Sequence, residues 1–204
     1  MRRRALSSTS IGELGELPNS FKRLEYVESD GTNHIDTGVI GKSGLSCIGR
    51  MSFVVVPNDS TFIGSRRDSG DTRFYLLHYF QKPTYGYGKY YQCGTAAKAN
   101  TIYDFATILN VGEQRFTWNG EGIGTNNLTN ELNTGYTMYI FALNQANAQK
   151  WPTKGRLYYL KIWENDVLVR DYIPCMNKEG VCGLWDKVNG TFSSSATNSP
   201  LIGA

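Results

Sequence analysis

The sequence predicts an all-β fold in which two antiparallel sheets pack into a sandwich. Aromatic residues make up 13% of the 204 residues, and the chain has 13 Tyr and 22 Gly, a mix that favours strands joined by turns. No window of helical length carries a sustained apolar stripe at spacings of three and four residues. Short strand candidates follow one another at the spacing typical of sandwiches and jelly rolls.

A chain of this length commonly forms one all-β domain, which we place at residues 17–204. Residues 1–16 have too little apolar surface to build a core and are predicted to form an extended N-terminal arm, ordered only against a partner. The sizeable apolar side chains of this arm are Leu6, Ile11 and Leu14. Its basic cluster is Arg2, Arg3 and Arg4.

Strand candidates bounded by Gly, Asn, Asp or Pro fill most of the domain. They are Phe21–Val27, His34–Val39, Gly49–Val56, Thr61–Gly64, Arg73–Phe80, Tyr85–Gln92, Thr101–Leu109, Arg115–Trp118 and Tyr136–Leu143. The polar stretch Asn144–Lys154 is predicted to be a long loop. Its one large side chain, Trp151, either covers the core or stands exposed as a platform.

The clearest β pattern lies at residues 156–174. Tyr158, Leu160 and Ile162 alternate with polar or amphipathic neighbours, which predicts a strand that buries these three side chains. Glu164-Asn165-Asp166 predicts a turn, and the returning strand is expected to end at Pro174, which lacks a backbone N–H. Further on, Asn189-Gly190 predicts a hairpin turn of the primed type.

Two motifs at opposite ends of the domain carry a resemblance to a known family. The opening motif is Leu17-Pro18, Arg23-Leu24-Glu25-Tyr26-Val27-Glu28-Ser29-Asp30-Gly31-Thr32 and Ile35-Asp36-Thr37-Gly38. The closing motif is Val169-Arg170-Asp171-Tyr172-Ile173-Pro174-Cys175, Gly183-Leu184-Trp185-Asp186 and Val188-Asn189-Gly190-Thr191-Phe192. Together they resemble the concanavalin A-like lectin/glucanase (LamG-like) domains of gut bacteria and their phages, over roughly residues 17–204.

The resemblance implies a jelly-roll sandwich of two curved antiparallel sheets, often a carbohydrate-binding or structural module. First and last strands tend to be neighbours in such folds, so both motifs are expected in one sheet. Arg170, Asp171 and Asp186 are interpreted as structural charge pairs or turn formers, because charges that flank strands usually fix loops or stay solvated.

The sequence shows no catalytic pattern. Glucanases of this fold use two carboxylates a few residues apart on one strand, and no such run occurs here. His34 and His78 are isolated in the sequence, and no serine is surrounded by the glycines of a nucleophile elbow. We therefore predict a protein that is not an enzyme, and keep a glycoside hydrolase with an unrecognised site as the third reading.

Glycan binding needs flat aromatic faces and polar groups that pair with hydroxyls. Tyr85 and Tyr87 share a face by parity and could form a two-ring platform, or they are ordinary, half-buried sheet residues. The full set of candidate glycan-binding residues is Tyr79, Tyr85, Tyr87, Asp71, Arg73 and Trp151.

Charge and composition limit the other partners. The net charge of +3 carries no basic stripe, so nucleic-acid binding is not predicted. No apolar stretch is long enough to cross a membrane. The four cysteines lack paired metal-site spacing and are interpreted as small buried residues, although Cys175 and Cys182 could approach each other across a short loop. No cofactor or metal is predicted; calcium at Asp68 and Asp71 is the alternative to a simple turn there.

These observations lead to two functional hypotheses. The first is a phage virion component, made in the host cytoplasm, such as a capsid decoration or tail-associated protein. Its arm would bind other virion proteins, and its lectin-like domain would face outward toward host or mucosal glycans. A homo-oligomer is expected on fold analogy. The second is a carbohydrate-binding lectin domain at a bacterial cell surface.

Overall fold

The computed structural model describes residues 16–68 and 74–204. Residues 1–15 of the predicted arm, together with Asp71 and Arg73, lie outside the described residues. Within the described part of the chain, all regular secondary structure is β-strand. No helix in these residues could cross a membrane.

The strands follow the chain in short steps. They are β1 (Lys22–Arg23), β2 (Val27–Asp30), β3 (Ile35–Lys42), β4 (Leu45–Phe53), β5 (Asp59–Arg66), β6 (Phe74–Phe80), β7 (Lys82–Tyr87), β8 (Tyr90–Gln92), β9 (Ile102–Asn110) and β10 (Glu113–Trp118). They continue as β11 (Glu121–Thr125), β12 (Asn133–Ile140), β13 (Leu143–Gln145), β14 (Ala148–Lys150), β15 (Lys154–Glu164), β16 (Val167–Met176), β17 (Cys182–Asp186), β18 (Thr191–Ser193) and β19 (Ile202–Gly203).

These strands form two sheets that pack as a jelly-roll sandwich, as the sequence predicts. The larger sheet has the order β11-β10-β9-β4-β15-β16-β17-β18, with β1, β2 and β19 attached to it. The smaller sheet has the order β14-β13-β5-β6-β7-β8, and β12 links β3 to β5. The strand pairs are antiparallel except β13 with β5, which is parallel.

The core lies between the sheets and is rich in tyrosine. Strand β6 turns Tyr75, Leu77 and Tyr79 inward, and β7 turns Tyr85 and Tyr87 inward. Tyr85 and Tyr87 therefore do not form the exposed two-ring platform that is one of the two interpretations the sequence allows, because the inward parity of β7 leaves these residues 1% and 4% exposed. Tyr79, the third tyrosine predicted for glycan binding, is 4% exposed.

The buried tyrosine hydroxyls find partners, as buried polar groups must. The Tyr75 hydroxyl shares a 2.8 Å hydrogen bond with Thr107 Oγ1, and the Tyr85 hydroxyl donates to the Ile108 carbonyl at 3.0 Å. Both partners belong to β9, so these bonds connect the smaller sheet to the larger one. The Tyr79 hydroxyl accepts the Ala97 N–H at 3.1 Å.

The hairpin of β15 and β16 has the predicted turn, but one of the side chains that it buries differs from the prediction. Asn165 and Asp166 take φ values of 48° and 64°, the left-handed pair that suits a tight two-residue turn. The pairing of β15 with β4 shifts between Leu157 and Tyr159, so Leu157 is buried in place of Tyr158. Pro174 does not end its strand, since β16 continues to Met176.

The two end motifs meet in one sheet, as the resemblance implies. Strand β1 pairs with β16, and β19 pairs with β2. The Phe21 ring lies 5.1 Å from both Trp185 and Phe192, in a small apolar cluster separate from the main core. The Ile35–Gly38 part of the opening motif is the exception, because β3 belongs to the smaller sheet.

Asp186 organises the turn after β17, in agreement with the structural role predicted for it. Its Oδ1 accepts the backbone N–H of Asp171 and of Val188, each at 3.0 Å. Its Oδ2 accepts Asn189 Nδ2 at 2.6 Å and lies 3.6 Å from Arg170 Nε. The predicted primed turn is wrong: the loop between β17 and β18 has four residues, of which only Gly190 has a positive φ.

Three other segments differ from their predictions. The span predicted as one strand from Tyr85 to Gln92 is a hairpin, because Gly88 takes a φ of 73° and reverses the chain. The predicted loop 144–154 contains the β13–β14 hairpin. Strand β11, which the sequence reading missed, is short and rich in glycine.

The cysteines are free thiols. Cys47, Cys93 and Cys175 are buried and Cys182 is half-buried, which agrees with their interpretation as small buried residues. Burial raises the pKa of the Cys47 thiol to about 11 and that of Cys175 to about 12, so both are protonated at neutral pH.

Replacing Tyr85 with alanine tests its place in the core. We expect Tyr85→Ala to lower the free energy of unfolding by about 3–5 kcal/mol, the usual loss for a buried aromatic side chain. Chemical denaturation provides the measurement. Tyr90→Ala is the control. Because Tyr90 is 49% exposed, this substitution should lower the free energy of unfolding by less than about 1 kcal/mol. Equal, small effects of both changes would contradict the burial of Tyr85.

The Asp186 hydrogen bonds supply a second stability test. Asp186→Ala leaves two backbone N–H groups and the Arg170 guanidinium without this acceptor, so we expect a loss of about 3–5 kcal/mol in urea unfolding. Glu179→Ala, at an exposed loop position, should change stability by less than about 0.5 kcal/mol. A loss below about 1 kcal/mol for Asp186→Ala would show that the turn does not depend on this carboxylate.

Candidate functional site

The outer face of the smaller sheet carries an open groove of about 580 Å³. Because Tyr75, Leu77 and Tyr79 of β6 point into the core, His78 and Phe80 point outward. His78 pairs across the sheet with Thr61 on β5 and with Thr84 on β7. The residues that line the groove are Asp59, His78, Phe80, Thr84, Tyr90, Gln92 and Trp151.

Two aromatic rings lie on either side of His78. The Trp151 ring centroid is 5.2 Å from that of His78, and the Tyr90 centroid is 6.4 Å from it. Tyr90 comes from β8, whereas the backbone of Trp151 is hydrogen-bonded to β5 on the other side of β6. The groove is therefore a cleft between two aromatic walls.

Trp151 is held in an unusual backbone conformation. Its φ of 43° lies in the left-handed region, which for a bulky residue costs of order 1–3 kcal/mol and persists only where the surroundings enforce it. Its carbonyl accepts the Thr61 N–H at 2.7 Å, and the Thr153 hydroxyl donates to the Thr61 carbonyl at 2.7 Å. The indole packs on Leu143. These contacts set the position of the wall before any ligand arrives.

His78 links the wall residues to a carboxylate. Its Nε2 lies 2.5 Å from Asp59 Oδ1, and its Nδ1 lies 3.0 Å from Thr61 Oγ1. Burial lowers the pKa of His78, and the Asp59 carboxylate opposes this shift. The imidazole is thus neutral at pH 7, with Nε2–H donating to Asp59 and Nδ1 accepting the Thr61 hydroxyl.

The remaining polar groups of the groove present acceptors. Gln92 Nε2 donates to the Phe80 carbonyl at 2.6 Å, which leaves its Oε1 available. The Thr84 hydroxyl donates to the Lys82 carbonyl at 2.9 Å, which leaves its oxygen lone pairs available. Asp59 has a side chain that is 44% exposed and uses one oxygen on His78. A ligand rich in hydroxyl donors would complement these three groups.

This geometry does not match a hydrolytic site. Asp59, His78 and Thr61 have the residue types of a nucleophilic triad, but Thr61 is fully buried and no substrate could reach its hydroxyl. Glycosidases need two carboxyl groups across the scissile bond, and Asp59 is the only carboxylate among the described residues that line the groove. No cluster of three His, Cys, Asp or Glu side chains in the described ranges could hold a metal ion.

Of the predicted glycan-binding residues that the structure describes, Trp151 lies in the groove. Tyr79, Tyr85 and Tyr87 lie in the core, and Asp71 and Arg73 lie outside the described residues. The sequence reading missed Asp59, Tyr90 and Gln92. The available signal was Gly88-Lys89, since a turn there reverses the chain and turns Tyr90 outward.

Sequence comparison finds no matching family model and no matching curated relative. Comparison of structures does find matches. A candidate carbohydrate-binding protein from Bacteroides ovatus ATCC 8483 superposes with a TM-score of 0.63 at 12% identity, over 89% of this chain and 62% of that one. This chain therefore spans less than two thirds of that protein.

A second match is the CBM40 domain of the Ruminococcus gnavus IT-sialidase bound to α2,3-sialyllactose. It superposes with a TM-score of 0.52 at 13% identity, over 72% of this chain and 92% of the domain. The chain shares its sandwich fold with carbohydrate-binding proteins. At such low identity the likeness concerns the fold alone.

The buried imidazole predicts a dependence of stability on pH. Because the folded state lowers the pKa of His78 below its ordinary value of 6.5, the unfolded chain takes up this proton first as the pH falls. The stabilising contribution is complete above pH 6.5 and is lost as the pH drops toward the lower, folded-state pKa.

We therefore expect the free energy of unfolding of the wild type to fall relative to that of His78→Gln between about pH 7 and pH 5. Urea unfolding at several pH values measures this difference, and His78→Asn should reproduce it. Parallel pH profiles for the wild type and both variants would refute the assignment of a neutral, buried His78.

Proposed function

We propose that this chain is a non-catalytic carbohydrate-binding domain whose ligand site is the groove between Trp151 and Tyr90. The observation that carries the proposal is the pair of aromatic walls beside the acceptor groups of Asp59, Thr84 and Gln92. Sugar rings present apolar C–H faces and hydroxyl edges, so aromatic faces and acceptors recognise complementary parts of the same ligand.

The physical properties of the groove support this use. Its volume of about 580 Å³ lies within the range of about 300–1,000 Å³ usual for small-molecule sites. Tyr90 is 49% exposed, so about half of its surface reaches solvent on the groove side of the core. The strained, hydrogen-bonded backbone of Trp151 supplies a preorganised second wall, which reduces the entropy lost on binding.

The absence of a second carboxylate among the described lining residues favours binding over hydrolysis. The fold likeness to proteins named for carbohydrate binding agrees with this choice. A reducing-sugar assay on the polysaccharides that bind would test it, and release of reducing ends in proportion to enzyme concentration would overturn it.

The phage virion hypothesis rests on the sequence resemblance and on an arm whose residues 1–15 lie outside the described part. Neither the groove nor the structural matches bear on that arm, on a homo-oligomer or on a cellular location. Virion display therefore stays a prediction, and its test is whether deleting residues 1–16 leaves a folded domain that no longer joins its particle or oligomer.

Glycan microarrays with the full chain test the binding proposal. We expect specific binding that weakens at least about fivefold in Trp151→Ala and in Tyr90→Ala, because each change removes one stacking surface worth about 1 kcal/mol or more. Isothermal titration with the glycan that binds most strongly on the array measures the change.

Trp163→Ala is the matched control, since Trp163 is a partly exposed tryptophan on the larger sheet. Circular dichroism spectra and unfolding curves check that each variant folds. If Trp151→Ala does not fold, Tyr90→Ala still tests the proposal. No binding to any glycan of a broad array, or an affinity that is unchanged in both Trp151→Ala and Tyr90→Ala, would contradict the proposal.

A further inference from the structure

We infer that the groove selects uncharged, hydroxyl-rich glycans and discriminates against acidic ones, an inference that rests on the proposed function. Acidic sugars carry a carboxylate, which accepts hydrogen bonds and needs a donor or a cation. Neutral sugars carry hydroxyls, which can donate to any acceptor.

The charged group that lines the groove is an acceptor, whereas the donors among its lining side chains belong to neutral groups. Thr84 uses its hydroxyl hydrogen on the Lys82 carbonyl, and Gln92 uses one of its two Nε2 hydrogens on the Phe80 carbonyl. The Asp59 carboxylate uses Oδ1 on His78, and a carboxylate can accept two hydrogen bonds from one ligand. Together these groups offer acceptor positions to a pair of ligand hydroxyls.

His78 cannot supply a donor to the ligand. Its Nε2 faces Asp59 and its Nδ1 faces Thr61, so both ring nitrogens have protein partners. The ring is 8% exposed and serves as the floor between the two walls. Its hydrogen bond holds the Asp59 carboxylate in place, which makes Asp59 the specificity-determining residue of the groove.

Charge leads to the same result. Among the described residues that line the groove, Asp59 is charged and no Lys or Arg is present. A ligand carboxylate in this cleft would lie near the Asp59 carboxylate, and the two like charges would repel each other. Arg66 acts electrostatically on the Tyr90 hydroxyl from beyond the lining, whereas Asp59 lies in the lining itself.

The test is an array of matched pairs, in which each neutral glycan is present beside a counterpart that carries one sialic acid or uronic acid. Lactose with 3′-sialyllactose and xylohexaose with its glucuronic acid-substituted form are two such pairs. We expect the full chain to bind neutral members at least about tenfold more tightly than their acidic counterparts, with binding lost in Tyr90→Ala.

Asp59→Asn identifies the residue responsible. The amide removes the charge and can donate through its nitrogen, so we expect the ratio of neutral to acidic binding to fall at least about fivefold while the protein stays folded. Glu179→Gln removes one charge at an exposed position in the loop between β16 and β17 and should leave the ratio unchanged.

The possible failures are distinguishable. Binding of acidic members that equals or exceeds that of neutral members, and that still depends on Tyr90 and Trp151, would overturn the selectivity and leave the glycan-binding proposal intact. An unchanged ratio in Asp59→Asn would overturn the role of Asp59. No binding of any pair would overturn the proposed function, and with it this inference.

Discussion

The inward-facing tyrosines of the smaller sheet are the constraint on which the rest of the molecule depends. Tyr75 and Tyr85 fill the space between the sheets, and each hydroxyl is satisfied by a group on β9 of the opposite sheet. A buried phenol without a partner would be costly, so these bonds set how the two sheets face each other. They also fix the parity of β6 and β7, because neighbouring residues on a strand point to opposite faces.

The candidate site is a direct consequence of that parity. With Leu77 and Tyr79 turned inward, His78 and Phe80 must face outward and form the floor of the groove. The walls have other origins: Tyr90 follows a hairpin turn at Gly88, and Trp151 follows the β13–β14 hairpin. Segments from three parts of the chain thus converge on one outer face, and none of them forms a site alone.

A different set of interactions holds the last strands of the chain beside the first ones in the larger sheet. The chain returns beside its own first strands, and Phe21, Trp185 and Phe192 form a small apolar cluster there. Asp186 fixes the adjoining turn by accepting backbone N–H groups, which is a geometric role that asparagine could fill only in part. This explains why charged residues in a sequence motif act as scaffold and lie apart from the groove.

The sequence by itself determined the all-β class, most strands and the meeting of the end motifs, since alternation, turn residues and strand length are local properties. It predicted Trp151 as a candidate but left open whether Tyr85 and Tyr87 form an exposed platform or are ordinary, half-buried sheet residues. Which face of a strand is buried depends on the sheet packed against it, and parity alone leaves both choices open. The register shift in β15 changes which of its side chains are buried, and the reversal of the chain at Gly88 starts a new strand on which Tyr90 faces outward. Only the tertiary structure decided that the core takes Tyr85 and Tyr87 and that Tyr90 and Trp151 line the groove, because these positions follow from packing between segments distant in sequence.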